Sequence, residues 1–139
     1  MKKVLKHIWV VLMLLVCVFT FRTNAYAQGT TVESGQYGEN VFWVLDSDGV
    51  MTFSGTGAMW DAVGDHEMYD YHPCPWTDYR DSIKKVVFSD GITYVGAGAF
   101  WGCENLETII FTDTITYIGN FAFYYCEKLG NVDLPQNLE

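Results

Sequence analysis

Residues 84–106 read KKVVFSDGITYVGAGAFWGCENL, and residues 107–129, directly behind them, read ETIIFTDTITYIGNFAFYYCEKL. Offset by 23, the two are identical at 11 of 23 positions, among them Phe88/Phe111, Tyr94/Tyr117, Gly96/Gly119, Ala99/Ala122, Phe100/Phe123 and Cys103/Cys126. A third copy begins before Glu139, with Val132, Leu134 and Leu138 falling where Ile109, Phe111 and Ile115 fall. Self-similarity at a period of roughly 20 to 50 residues marks a chain of stacked units, each too small to bury its own apolar face. The expected architecture is a solenoid with repeats at 84–106, 107–129 and 130–139, the last cut short.

Within a repeat the apolar residues follow a period of two and then break. If Lys84 to Phe88 is a strand, Val86 and Phe88 point inward while Lys85 and Val87 point outward. One repeat later Ile109 and Phe111 point in, with Thr108 and Ile110 outward; in the third copy Val132 and Leu134 point in, with Asn131 and Asp133 outward. A turn follows each strand and leads to a second short extended piece with Ile92 and Val95, or Ile115 and Ile118, facing in. Gly96 and Gly119 break the chain, and Ala99-Phe100 and Ala122-Phe123 open a helical turn whose phenylalanine fills the centre of the rung.

Upstream, Val41 to Leu45 and Val50 to Phe53 flank Asp46-Ser47-Asp48-Gly49, a hairpin signature with glycine where the turn needs positive φ. The same acidic turn raises a calcium loop, but the further ligand positions and terminal glutamate of that motif are missing. Residues 28–38, QGTTVESGQYG, read as a flexible lead-in. Residues 39–83 are expected to form an N-terminal hairpin cap and a degenerate half-repeat, with Trp60, Tyr71 and Trp76 covering the first rung.

Residues 1–27 have the build of a secretory signal peptide: Lys2, Lys3 and Lys6, an apolar run from Ile8 to Phe21, and Ala25-Tyr26-Ala27 as a cleavage site. An uncleaved signal segment is the one expected route to a membrane. The whole chain has 17 acidic and 8 basic residues, a net charge of −9. Cleavage removes four basic residues and no acid, leaving a formal charge of −13, which disfavours nucleic acid. The remaining cysteines are Cys74, Cys103 and Cys126. The last two sit one period apart, either as reduced thiols stacked in the core or as a disulfide between rungs.

The repeat, in ITYVGAGAFWGCENLETIIF (92–111) and ITYIGNFAFYYCEKLGNVDLP (115–135), resembles the BspA-type leucine-rich repeat of bacterial and protist surface proteins. WVLDSDGVMTFSGTGAM (43–59) with PWTDYRDSIKKVVF (75–88) is similar to the N-terminal unit that often precedes such repeats, so the resemblance spans roughly residues 38–139. It implies an α/β, mostly β, right-handed leucine-rich-repeat solenoid that is exported and binds proteins or mediates adhesion at a cell surface. Members usually carry more repeats and a capping or anchoring stretch, so this chain is expected to be a fragment, a truncated product or the start of a longer adhesin.

No catalytic constellation emerges. Asp65, His66, Glu67, Asp70, His72 and Cys74 hold donors for zinc, yet their spacing matches no paired-ligand motif, and an acid-rich loop is the expectation. A Cys74–His72 nucleophile pair lacks an orienting third group. No cofactor is expected, and the chain reads as a non-enzyme. Two surfaces stand out for binding. One is the outward strand stripe Lys85, Val87, Thr108, Ile110, Asn131 and Asp133. The other is aromatic: Tyr94 with Tyr117 and Trp101 with Tyr124 lie one period apart, with Tyr125 nearby. The alternative for the stripe is a solvated sheet of ordinary β-formers, and for the aromatic residues half-buried packing. The partner expected is a protein, of a host or neighbouring cell surface; the alternative is a glycan bound by a carbohydrate-binding accessory module of a larger surface protein or cell-wall enzyme.

Overall fold

The computed structural model describes residues 29–62 and 73–139. The signal segment and the group Asp65, His66, Glu67, Asp70 and His72 fall outside the described residues. The strands are β1 (Thr31–Gln36), β2 (Val41–Asp46), β3 (Val50–Gly55), β4 (Gly57–Ala58), β5 (Lys85–Phe88), β6 (Ile92–Val95), β7 (Thr108–Ile110) and β8 (Tyr117–Ile118). A short 3-10 helix spans Thr77–Ser82. The protein is mostly β: no described residue lies in an α-helix, and among the described residues no helix is long and apolar enough to cross a membrane.

Two sheets form the walls. The larger runs β1-β2-β3-β5-β7, antiparallel through β3 and parallel from β3 onward. The smaller, β4-β6-β8, is parallel. The offset of 23 in sequence becomes register in space, because Lys85 pairs with Thr108, Val86 with Ile109 and Val87 with Ile110. Tyr94 and Val95 likewise pair with Tyr117 and Ile118. The hairpin extends this ladder, with Met51 beside Val86 and Phe53 beside Phe88.

The third wall differs from the expected helical turn. Residues 96–106 form successive four-residue turns, in which Ala99 N donates to Gly96 O, Trp101 N to Gly98 O, Cys103 N to Phe100 O and Leu106 N to Cys103 O. Between them Gly98 N, Phe100 N and Gly102 N donate to Asn120 O, Ala122 O and Tyr124 O of the next rung. Alternate amides thus serve the turn and the stack, which satisfies the backbone without a helix.

Rings fill the interior in two columns. Phe88 and Phe111 lie parallel, 5.6 Å apart at 1°, with Phe53 stacked on Phe88 from the other side. Phe100 and Phe123 lie parallel, 5.3 Å apart at 3°, with Trp76 stacked on Phe100 at 5.8 Å. The columns meet edge to face, as in Phe88–Phe100 at 82° and Phe111–Phe123 at 80°. Such pairs stabilise by about 0.5–1.5 kcal/mol beyond the area they bury.

Three local expectations are corrected. Residues 31–36 are a strand, not a flexible lead-in: β1 pairs with β2, and Gly35 sits under the Trp43 ring, where a Cβ would come within 3.0 Å of Nε1. Residues 131–134 form no strand, and Leu134 is exposed rather than inward. Here Gly130 N reaches Glu107 O only at 3.5 Å, and Glu139 N reaches Thr116 O. Val87 points outward as expected but is only 7% exposed, because Thr52 and Ile110 flank it in register.

Candidate interaction surfaces

The hairpin turn sets the edge of the first surface. Asp46 Oδ1 accepts hydrogen bonds from Asp48 N (3.0 Å) and Val50 N (2.9 Å), and Gly49 takes φ +82°. The acidic turn is thereby a backbone-capping device, and among the described residues no group of three or more His, Cys, Asp or Glu is placed to hold a metal ion.

With the hairpin locked, the outward residues of five strands fall into rows. Ser34, Val44, Thr52, Val87 and Ile110 are successive register partners. Val50, Lys85 and Thr108 form a second row, and Gln36, Phe42 and Ser54 a third. The expected stripe of Lys85, Val87, Thr108 and Ile110 is therefore the end of a wider face, one that sequence stops short of because antiparallel β2 and β1 carry no repeat signature. Lys85 is the one charged side chain in these rows. Asn131 and Asp133 are exposed but belong to no strand.

The tyrosines and Trp101 divide. Tyr94 is half-buried, and its hydroxyl donates to Asp61 Oδ1 at 2.7 Å, the same oxygen that accepts Ala97 N at 2.7 Å. Burial and then this hydrogen bond push the hydroxyl well above the usual tyrosine range. Tyr94 is thus a packing residue that ties two rungs together, with Tyr117 tilted beside it at 5.7 Å and exposed. Trp101 and Tyr124, by contrast, meet edge to face at 5.3 Å on the surface.

Two more rings join that pair. Phe121 lies 5.9 Å from Trp101 and 5.6 Å from Tyr124, and Tyr125 lies 4.3 Å from Tyr124. Phe121 and Tyr125 are 58% and 57% exposed, and both have φ +58°. One period earlier the same backbone positions are Gly98 and Gly102, at φ +65° and +74°. A left-handed residue with a Cβ costs roughly 1–2 kcal/mol, so each ring sits where glycine would be easier. The pairing of Gly98 with Phe121 and Gly102 with Tyr125 at an offset of 23 was the available sequence signal for them.

The cysteines belong to the interior. Cys74, Cys103 and Cys126 are free thiols; Cys74 Sγ lies 3.2 Å from Ala99 O and Cys126 Sγ 3.3 Å from Phe100 O. Burial pushes Cys74 and Cys126 up to about 11 and Cys103 up to about 12, so these sulfurs stay protonated and unreactive at neutral pH.

Rungs of 23 residues, parallel strand ladders and columns of equivalent rings make this a leucine-rich repeat protein. The particular repeat is of the BspA type: residues 78–139 match the family described as BspA type leucine rich repeat region, six copies. Among solved structures, a leucine-rich repeat protein from Eubacterium ventriosum ATCC 27560 is 34% identical with a TM-score of 0.63, over 75% of this chain and 26% of that one. A leucine rich repeat protein of T. pallidum is 24% identical with a TM-score of 0.45, over 75% of this chain and 49% of that one. The chain thus spans about a quarter of the first structure and about half of the second. No curated protein matches it.

Proposed function

We propose that this chain is an exported, cell-surface protein-binding module that works without catalysis, and that the outer face of its five-stranded sheet is the docking surface. The observation that carries this reading is the row Ser34–Val44–Thr52–Val87–Ile110, an uncharged strip across a molecule with 17 acidic and 8 basic residues. A β-branched surface kept free of acids on an acidic protein fits an apolar interface centre better than a solvated sheet. The signal-like N-terminus supports export, and adhesion is the form of binding that export and the repeat family favour. In this reading the solenoid is right-handed, and the β1–β3 unit caps its first rung by pairing β3 with β5.

The glycan reading is less well supported. A sugar strip needs rings that offer a common plane, whereas Trp101–Tyr124, Phe121–Tyr124 and Tyr124–Tyr125 cross at 79°, 78° and 68°, and the shallower pairs Trp101–Phe121 and Tyr94–Tyr117 are still tilted by 41° and 31°.

The test is an array of extracellular and cell-envelope proteins probed with the chain and with a Val44→Lys, Ile110→Lys variant. Both positions are outward and not fully buried, so the variant keeps its circular dichroism spectrum. Proteins retained by the parent and lost by the variant support the sheet face. Identical retention by both removes it.

A further inference from the structure

The sheet face leaves the strained rings unexplained. In the 84–106 repeat the left-handed turn positions are Gly98 and Gly102, and a Cβ built on Gly102 meets nothing within 4 Å. A side chain at this position enters open space and adds nothing to the core, yet the next repeat places Phe121 and Tyr125 at the equivalent sites. With Trp101 and Tyr124 they form a contiguous group of four exposed rings, each within 6 Å of at least one other. Because three of the four ring contacts cross at 68–79° and Trp101–Phe121 at 41°, the group offers faces and edges in several directions, which suits side chains arriving one by one.

Charge selects the kind of side chain. The chain carries net −9, and acids flank the rings in sequence: Glu104 follows Trp101 by three residues and Glu127 follows Tyr125 by two, both exposed. Of the bases nearby, Lys128 directs its Nζ to Asn105 Oδ1 at 2.7 Å, and Arg80 lines one cavity with Trp101, which Asp78 also lines. Electron-rich ring faces in a negative field attract cations, and guanidinium groups also stack on them.

We propose that Trp101, Phe121, Tyr124 and Tyr125 form a second docking surface, which takes an arginine- or lysine-rich segment of a partner protein with its cationic side chains laid over the rings. The inference rests on the protein-binding reading for the nature of the ligand, but it uses a different wall of the molecule.

The test uses the full chain, a nona-arginine peptide as probe and a neutral Gly-Ser nonamer as control, with binding measured by calorimetry at several salt concentrations. The comparison variant is Phe121→Gly, Tyr125→Gly, which installs the residues of positions 98 and 102, relieves the backbone and leaves net charge unchanged. The expected result is an affinity for nona-arginine weakened about tenfold in the variant, the size of lost cation–ring contacts, with the neutral nonamer bound by neither. Equal affinities overturn the proposal, because attraction is then diffuse charge alone. So does a soluble oligosaccharide that binds the parent and not the variant while nona-arginine affinity is unchanged. A change in self-association by light scattering, with unchanged peptide affinity, would assign the rings to a second copy of the chain. The sheet-face reading is scored separately by Val44 and Ile110, so failure of one leaves the other standing.

Discussion

Gly96 and Gly119 hold equivalent places in successive rungs, and neither is there for its dihedral freedom. A Cβ on Gly96 would run into the Trp60 carbonyl oxygen, and one on Gly119 into Ala97 N and the Tyr94 hydroxyl. The pair was legible in the sequence as a chain break; the close approach of the neighbouring rung was not, because it needs the stack. Gly96→Ala or Gly119→Ala should cost about 1–3 kcal/mol, the range for overpacking, read as a lower urea midpoint. Phe121→Gly and Tyr125→Gly should act in the opposite sense. Each relieves roughly 1–2 kcal/mol of left-handed strain and gives back part of it as unfolded-chain entropy, for a net gain of up to about 1 kcal/mol. An unchanged or lower midpoint would mean that these rings stabilise the native state. The thiols give a pH test. The folded state holds their protons more tightly than an ordinary thiol of 9.0, so stability is level below that pH and falls as pH rises from 9 towards 11, where Cys74 and Cys126 ionise in the native state. Thiol-reagent labelling at pH 8 should accordingly be slow until denaturant is added.

At the scale of elements, two columns of stacked rings fill the interior from rung to rung. Phe100 is fully buried between Trp76 and Phe123, whereas Phe123 is half-buried and has a ring partner of its own column on one side. Phe100→Ala should therefore cost about 3–5 kcal/mol and Phe123→Ala clearly less; equal losses would mean the columns are not continuous. The parity of β5 and β7 was readable, since a period of two with identical phenylalanines leaves little choice of inward face. Strand β1 was not: TVESGQ alternates no apolar residues, and its pairing with β2 is a backbone matter helped by Gly35 under Trp43. The expected strand at 131–134 fails for the complementary reason. Its apolar pattern is right, but its amides do not align with the edge of β7.

Across the whole molecule, the antiparallel hairpin and the parallel repeats share one sheet, and this joins Val44 and Thr52 to Val87 and Ile110 on one outer face. The stripe read from the repeats alone covered two of the five strands of that face. It also included Val87 as an exposed contact, whereas at 7% exposure Val87 supports the face from within and Val44 and Ile110 offer more of it. An acidic protein whose outer sheet carries the uncharged row Ser34–Val44–Thr52–Val87–Ile110, with Lys85 beside it, is expected to bind through that face with little dependence on salt, and through the rings of the turn wall with strong dependence. Photocrosslinking decides between these surfaces and any other. A benzophenone side chain placed at position 44, at position 110, or at exposed Thr93 in β6 would be irradiated in the presence of envelope and extracellular proteins. Discrete adducts from positions 44 and 110, competed by unlabelled chain and absent from position 93, are the expected result. Adducts from position 93 alone, or the same adducts from all three, would contradict a binding function for the outer sheet.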